Sequence, residues 1–245
     1  MVPRSTHTVT ASDGVSISLD RYGDGAGAVV VVCHGFFNNK QTPAYRLLGE
    51  ALAKGRDVIC MDFRGHGRSD GFYTFSAREG ADLHAVLQWA AERYQRIGVI
   101  GFSLGGAIAI NTAGQNHVPI HSLVAVSAPS AFEAIEMQYW RLRAIRSGIR
   151  SVLAGGGCRP GNLFCRKLRP VESITALRSL PTLFIHGTHD VIIFPRHSER
   201  LYAAAPEPKR LEILERGGHA ETLLRTHRER LLQMVDDWYR QTLDT

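Results

Sequence analysis

The chain has 245 residues, of which 44% are hydrophobic and 21% charged, with a formal net charge of +6. These values are ordinary for one globular α/β domain, which we expect to span residues 1–245. No apolar run approaches the roughly 18–20 residues needed to cross a bilayer, and the first residues lack the apolar stretch of a secretory signal. The composition therefore predicts a cytoplasmic protein with no transmembrane segment.

Patterns typical of strands and helices alternate along the chain. In chain order they predict strands at 6–10, 15–22 and 28–33, a helix at 43–54, a strand at 56–61, a helix at 76–94, a strand at 96–100, a helix at 104–116, a strand at 120–126, strands at 181–186 and 210–214 with a helix between them from about residue 195, and a helix at 222–241. The turn residues at 12–14 favour a hairpin between the first two strands. Ser76 is the predicted N-cap of its helix, and Glu79 would complete a capping box.

Such alternation predicts a mostly parallel sheet of about eight strands with helices on both faces. The stretch 129–176 breaks the rhythm because it contains no strand pattern. We interpret it as a lid insertion above the carboxyl edge of the sheet, where ligands bind in folds of this kind.

A Gly-Phe-Ser-Leu-Gly sequence occupies residues 101–105, between a predicted strand and a predicted helix. A serine on such a sharp turn is strained, and small residues on either side let the backbone pass. The turn would lift Ser103 clear of the sheet. This context predicts that Ser103 is a nucleophile.

A serine nucleophile needs a base, and the base needs a carboxylate that orients it. Asp190 follows one late strand and His219 follows the last one, so both are predicted at the carboxyl edge of the sheet. The oxyanion of the reaction needs two backbone N–H donors. The residue after the nucleophile, Leu104, should supply one, and Phe36 in the loop after the third strand should supply the other.

With these residues in place, the chain resembles serine hydrolases of the α/β-hydrolase fold family over nearly its full length. The motifs that carry the resemblance are His34-Gly35, the loop Asp62-Phe63-Arg64-Gly65-His66-Gly67-Arg68-Ser69, the pentapeptide 101–105, Gly187-Thr188-His189-Asp190 and Gly218-His219. The loop around Phe36 and the short insertion are most similar to small-lid esterases such as feruloyl esterases and monoacylglycerol lipases. The resemblance implies a triad of Ser103, His219 and Asp190, with no cofactor and no metal.

Several other reactive residue types are expected to have structural roles. His34 and His66 lie inside loop motifs and are predicted to support the scaffold, whereas Arg64 should tie loops together. His189 is expected to be exposed.

Cys33 and Cys60 end apolar runs and are predicted to be small buried hydrophobic residues. Cys158 and Cys165 lie seven positions apart and could form a disulfide or half of a metal site, but no nearby His or Cys has ligand spacing, which favours two free thiols.

The insertion is predicted to shape the substrate pocket. A helical pattern at 139–153 has one apolar face, and Tyr139 and Trp140 should line the pocket mouth together with Phe37. Residues 130–180 also carry the chain's whole charge excess of +6. This charge is either a solvated surface or attracts an anionic carrier, coenzyme A or a phospholipid head group. The glycines at 155–157 lack the context of a phosphate loop, so we expect no nucleotide or nucleic-acid partner.

Three functions are compatible with this sequence. The first is hydrolysis of small carboxylic esters through an acyl-enzyme. The second is a thioesterase that uses the same triad on acyl-CoA or an acylated carrier. The third is a non-catalytic ligand-binding protein on a hydrolase fold. The natural substrate, its acyl chain length and the oligomeric state stay open.

Overall fold

A computed structural model of the chain describes residues 2–25, 27–115, 117–133 and 158–244. Across these ranges the strands are β1 (Arg4–Thr10), β2 (Ser16–Tyr22), β3 (Ala28–Cys33), β4 (Asp57–Met61), β5 (Arg96–Phe102), β6 (Ser122–Val126), β7 (Thr182–Gly187) and β8 (Lys209–Leu214). The α-helices are α1 (Pro43–Leu52), α2 (Glu79–Ala91), α3 (Leu104–Gln115), α4 (Pro170–Ser173), α5 (Arg196–Ala204), α6 (Glu221–Thr226) and α7 (Arg228–Thr242), and a 3-10 turn follows α4 at Ile174–Ala176. The predicted strands are thereby confirmed, with ends that differ by one or two residues.

Among the described residues the strands form one eight-stranded sheet in the order β1-β2-β4-β3-β5-β6-β7-β8. The hairpin β1–β2 and the pair β2–β4 are antiparallel, and every pair from β4 to β8 is parallel. Parallel strands present their carboxyl ends at the same edge, with β5 near the centre of the sheet. The loops after β3, β5, β7 and β8 therefore lie close together.

Two hydrophobic cores cover the two faces of the sheet. On one face, apolar side chains of α2, α3 and α5 pack on alternate residues of the strands, as Val86, Ile108 and Leu201 do. On the other face, α1, α6 and α7 pack on the intervening residues. The central strands are buried on both faces, which explains their continuous apolar sequences.

The capping box predicted for α2 is wrong. Ser76 lies at a φ of 78°, and α2 begins only at Glu79. The Glu79 carboxylate instead accepts hydrogen bonds from the Thr74 backbone N–H at 2.6 Å and from the Thr74 hydroxyl. The nearby Thr74 donors satisfy this carboxylate, so the loop before α2 is pinned from inside the helix rather than by a serine cap.

The single helix predicted at 222–241 is also wrong, because the chain forms two helices there. His227 interrupts them with a non-helical φ of −127° and ψ of 31°. Its ring lies 3.1 Å from the Glu215 carbonyl and 2.8 Å from the Thr226 hydroxyl. The apolar period continues across the break, which is why the sequence pattern alone suggested one helix.

Part of the stretch 129–176 is described. Residues after 158 attach to the loop that follows β4: Tyr73 pairs with Pro160, and the Tyr73 N–H donates to the Arg159 carbonyl at 2.8 Å. The helix predicted at 139–153, with Tyr139 and Trp140, and the glycines at 155–157 lie outside the described residues. None of the helices in the described ranges has both the length and the apolar character needed to cross a membrane.

Candidate active site

Ser103 stands on the turn between β5 and α3. Its φ is 52°, a conformation that costs free energy for a residue other than glycine. A Cβ at Gly101 would lie 2.5 Å from the Gly105 carbonyl oxygen, and one at Gly105 would lie 2.4 Å from the Cys33 carbonyl oxygen. Backbone atoms cannot yield at such distances, so both flanking positions require glycine. The turn therefore holds Ser103 at the carboxyl edge of the sheet.

The side chains of Ser103, His219 and Asp190 form one hydrogen-bonded chain. His219 Nε2 lies 2.8 Å from Ser103 Oγ, and His219 Nδ1 lies 2.7 Å from Asp190 Oδ2. A neutral imidazole that donates from Nδ1 to the carboxylate and accepts the serine proton at Nε2 satisfies both contacts. Loops after three different strands thus bring together the three residues that the sequence places there.

Asp190 is held as a carboxylate. Its other oxygen, Oδ1, accepts the backbone N–H groups of Ile192 at 3.0 Å and Ile193 at 2.9 Å. Burial raises the pKa of Asp190, but His219 and hydrogen bonds from His186 and His219 outweigh burial and lower this pKa overall. Asp190 therefore stays ionised at neutral pH and can orient the His219 ring.

Two opposing effects act on the pKa of His219. Burial lowers the pKa of His219, but the opposing effect of the Asp190 carboxylate, with a further contribution from Glu221, raises this pKa above its usual value. A base with a raised pKa accepts a proton more readily, which is what a serine proton acceptor requires.

His186 supports Asp190 from within β7. Its ring is fully buried, with Nε2 at 3.2 Å from Asp190 Oδ2 and at 2.8 Å from the Ile193 carbonyl, and Nδ1 at 2.7 Å from Ser198 Oγ. We did not predict this role, although the His-Gly-Thr-His-Asp sequence at 186–190 contains the signal. A histidine at the carboxyl end of a strand, four residues before a candidate acid, lies within reach of that acid.

The two predicted oxyanion donors, Leu104 and Phe36, belong to segments next to Ser103. Leu104 is the first residue of α3, where a backbone N–H has no acceptor within the helix. The loop with Phe36 passes directly beside the serine, since a Cβ at Gly35 would lie 3.4 Å from Ser103 Cβ. Donation by these two amides to an oxyanion stays a prediction.

An aromatic cluster surrounds Phe36 in the loop after β3. The Phe36 ring stacks on Phe37 with centroids 3.8 Å apart and on Tyr73 with centroids 4.9 Å apart. Phe75 meets Phe36 edge to face and continues to Phe132. The arrangement gives this loop, whose Gly35 lies beside Ser103, an apolar wall. Of the predicted pocket residues, Phe37 is part of this wall, whereas Tyr139 and Trp140 fall outside the described residues.

The scaffold roles predicted for nearby polar residues are confirmed. His34 Nε2 accepts the Phe63 backbone N–H at 3.0 Å. Arg64 binds the carboxylates of Asp82 and Asp13, which joins α2 to the first hairpin. His189 is exposed, and all four cysteines are free. In the portion of the chain that is described, no group of three or more His, Cys, Asp or Glu side chains is arranged to hold a metal ion.

One contact at the site was not anticipated. The Tyr45 hydroxyl, in α1, donates to the carboxylate of Glu221 at the start of α6 and accepts the Gly35 backbone N–H at 3.0 Å. Tyr45 and Glu221 are 176 positions apart in sequence. Neither belongs to a motif of the sequence, so only the fold shows that they meet.

Comparisons with known proteins agree on the architecture. A family model described as alpha/beta hydrolase fold matches residues 28–144. The chain is 26% identical over 241 residues to YfhR of Escherichia coli strain K12, a protein described as uncharacterized, and the match covers 93% of this chain and 78% of the relative.

Solved structures extend this agreement to the whole chain. The esterase Pf2001 of Pyrococcus furiosus superposes with a TM-score of 0.80 at 23% identity, covering 98% of this chain and 93% of that one. The esterase RhEst1 of Rhodococcus sp. ECU1013 superposes with a TM-score of 0.76 at 20% identity, covering 96% of this chain and 98% of that one. The chain therefore has the α/β-hydrolase fold.

Proposed function

We propose that the protein is a serine hydrolase that cleaves small carboxylic esters through an acyl-enzyme. The observation that carries the proposal is the hydrogen-bonded chain from Ser103 Oγ through His219 to Asp190, with distances of 2.8 and 2.7 Å. The strained turn under Ser103 supports it, because backbone strain is kept where a function needs it.

In the proposed reaction Ser103 Oγ attacks the ester carbonyl carbon while its proton passes to His219 Nε2. The carbonyl electron pair moves onto oxygen, which the Phe36 and Leu104 amides would stabilise. The tetrahedral adduct collapses, the C–O bond to the alcohol breaks, and the alcohol leaves with the proton from His219. Water then repeats the sequence on the acyl-enzyme and releases the acid. Asp190 orients His219 and stabilises its positive charge throughout.

The surroundings of Ser103 favour an ester with an apolar acyl group. The stacked Phe36 and Phe37 rings offer a wall that a hydrocarbon chain can cover, with water released from both surfaces. The solved neighbours Pf2001 and RhEst1 are both described as esterases, and a related substrate class is part of the proposal. The closer similarity to small-lid esterases also belongs to the proposal.

A thioesterase is the second candidate, supported by charge. Residues 158–169, which follow the lid insertion's central part, contain three Arg and one Lys and no acidic residue. Such a segment attracts the phosphates of coenzyme A or of an acylated carrier. A non-catalytic binding protein is less well supported, because such a protein has no need of the hydrogen-bonded chain at Ser103.

The test is hydrolysis of a panel of p-nitrophenyl esters and acyl-CoA thioesters of increasing chain length by wild type, Ser103→Ala and Ser179→Ala. Ser179 is a matched control because it is exposed and also has a positive φ. We expect Ser103→Ala to lose about 10⁴-fold or more of kcat/KM and Ser179→Ala to lose none. Undiminished turnover by Ser103→Ala would overturn the proposal.

Salt separates the two substrate classes. Attraction between exposed charges weakens as ionic strength rises, because the Debye length falls. A kcat/KM that drops with salt for the thioester and not for the neutral ester would favour the thioesterase. Higher activity on the neutral ester, with no effect of salt on either substrate, would favour the esterase.

A further inference from the structure

A buried tyrosine and a carboxylate lie directly beneath the loop that carries Phe36. Tyr45 is fully buried, and its hydroxyl both accepts the Gly35 N–H and donates to Glu221. A Cβ placed on Gly35 would lie 2.5 Å from Glu221 Oε1, so the carboxylate fills the space under the loop. The peptide that precedes Phe36 is therefore held from below by side chains of α1 and α6.

This arrangement fixes the direction of each hydrogen bond. Burial, and then the negative charge of Glu221, raise the pKa of Tyr45 well above its usual value, so the hydroxyl keeps its proton. A protonated hydroxyl can donate one hydrogen bond, and the Glu221 carboxylate accepts it. The Gly35 N–H must then be the donor to the tyrosine oxygen. The Phe36 N–H belongs to the next peptide, whose Gly35 carbonyl lies 2.8 Å from His34 Nδ1. Tyr45 therefore anchors Gly35 on its N–H side, and His34 contacts it on the carbonyl side.

Glu221 also lies close to the triad, because a single Cβ placed on Gly35 would be 2.5 Å from Glu221 Oε1 and 3.4 Å from Ser103 Cβ. It lies two residues after His219, and its charge adds to that of Asp190 in raising the pKa of His219. Asp190, in the loop after β7, contacts His219 and is itself contacted by His186. Ser103 contacts His219 from the turn between β5 and α3. Tyr45, from α1, meets Glu221 rather than the imidazole.

We propose that Glu221 and Tyr45 are positioning residues of the reaction at Ser103: Tyr45 anchors the Gly35 peptide so that the Phe36 amide stays aimed at the oxyanion, and Glu221 is a second carboxylate that stabilises protonated His219. The inference rests on the proposed function. It separates two effects that one residue pair produces, a geometric one through the hydroxyl and an electrostatic one through the charge.

Two substitutions separate these effects. Tyr45→Phe keeps the buried ring and removes only the hydroxyl, which leaves the Gly35 N–H without its acceptor. Glu221→Gln keeps an oxygen that can accept the hydrogen bond from the Tyr45 hydroxyl, and it removes only the negative charge. Each variant thus tests one half of the proposal, and Glu221→Gln keeps the test open if Tyr45→Phe does not fold.

The readout is the second-order rate of Ser103 labelling by a fluorophosphonate, measured from about pH 5 to about pH 9, the range in which histidine titrates. The P=O oxygen of this probe would be bound by the same predicted oxyanion donors, the Phe36 and Leu104 amides. The probe therefore needs no identified substrate. We expect the labelling rate to level off at a plateau at higher pH, where His219 is neutral. Tyr45→Phe should lower this plateau rate about tenfold, since a misaimed oxyanion donor loses part of its effect. For Glu221→Gln we expect a plateau rate within about threefold of wild type. The acid limb, the pH range in which the rate falls as His219 is protonated, should move down by about 0.5–1 pH unit.

The direction of the second shift follows from the charge. A nearby carboxylate favours imidazolium, so its removal lowers the pKa of His219 and keeps the base neutral at lower pH. Tyr45→Phe retains the Glu221 charge and should move the limb little. A role in folding alone would lower the melting temperature of both variants and change neither the plateau nor the limb.

Matched controls come from the same chain. Tyr239→Phe removes a buried hydroxyl that has no hydrogen-bond partner among the described residues, and Glu229→Gln neutralises an exposed carboxylate on α7. Both should match wild type. If wild type itself is not labelled at Ser103, the proposed function fails. If wild type is labelled and both variants match the controls, the inference about Tyr45 and Glu221 is overturned.

Discussion

Histidines occupy two regions of the same sheet edge, and their neighbours shift the histidine pKa in opposite directions. His34 and His66 pack against each other with ring centroids 5.0 Å apart, and burial is the main reason that their pKa values fall to about 4 and about 3. His219 faces Asp190, which more than offsets burial and raises its pKa. Position at the carboxyl edge therefore does not by itself distinguish a histidine. His219 differs from the other two in having a facing carboxylate and a hydroxyl within reach.

Arginine and aspartate show the same division. In the scaffold region, buried Arg64 is shared between two carboxylates, Asp82 and Asp13, and its charge is used up in joining α2 to the first hairpin. In the site region, Asp190 Oδ1 accepts two backbone N–H groups, and Asp190 Oδ2 contacts both His219 and His186. Scaffold charges are satisfied among themselves, whereas the site keeps one acceptor, His219 Nε2, directed at Ser103.

The difference between the site histidine and the scaffold histidines should be greatest in catalytic activity. His219→Asn removes the base, and we expect kcat/KM on a p-nitrophenyl ester to fall by about 10⁴-fold or more, because serine loses its proton acceptor. His66→Asn keeps an amide that can meet the Arg64 carbonyl, and we expect a loss of less than about tenfold. Steady-state kinetics at neutral pH checks both. Equal losses in the two variants would contradict the division between the regions.

A smaller effect concerns stability. Arg64→Met removes the guanidinium that pairs with the buried Asp82 carboxylate and leaves only the backbone N–H of residue 64 as its donor. Breaking a buried pair in this way costs about 3–5 kcal/mol of unfolding free energy. The folded fraction should still react at Ser103. Urea denaturation gives the free energy, and active-site titration gives the reactive fraction. A variant as stable as wild type would show that this buried pair contributes nothing to the scaffold.

Much of the architecture could be predicted from the sequence because its signals are local. Continuous apolar runs mark the central strands, and two glycines around Ser103 mark the turn, since any Cβ there would meet backbone. Chain order also placed Asp190 and His219 after strands. The structure brings His219 into hydrogen-bond contact with Ser103, and Asp190 into hydrogen-bond contact with His219. Their roles in catalysis stay proposals.

Sequence reasoning missed some local features as well as contacts between distant segments. The Glu79 carboxylate takes the donors of Thr74 because the loop folds back over the start of α2, which a spacing rule does not show. Tyr45 meets Glu221 only because α1 and α6 cover the same face of the sheet. The apolar period runs through His227, so the break before α7 left no mark on the pattern.

The central claim is that Ser103 is the one nucleophile that His219 and Asp190 activate. The most direct measurement is peptide mapping by mass spectrometry after the wild type is treated with a fluorophosphonate at neutral pH. We expect the added mass on the peptide that contains Ser103, and its disappearance in His219→Asn under the same conditions. Label on a different serine, or equal labelling of Ser103 in His219→Asn, would contradict the account.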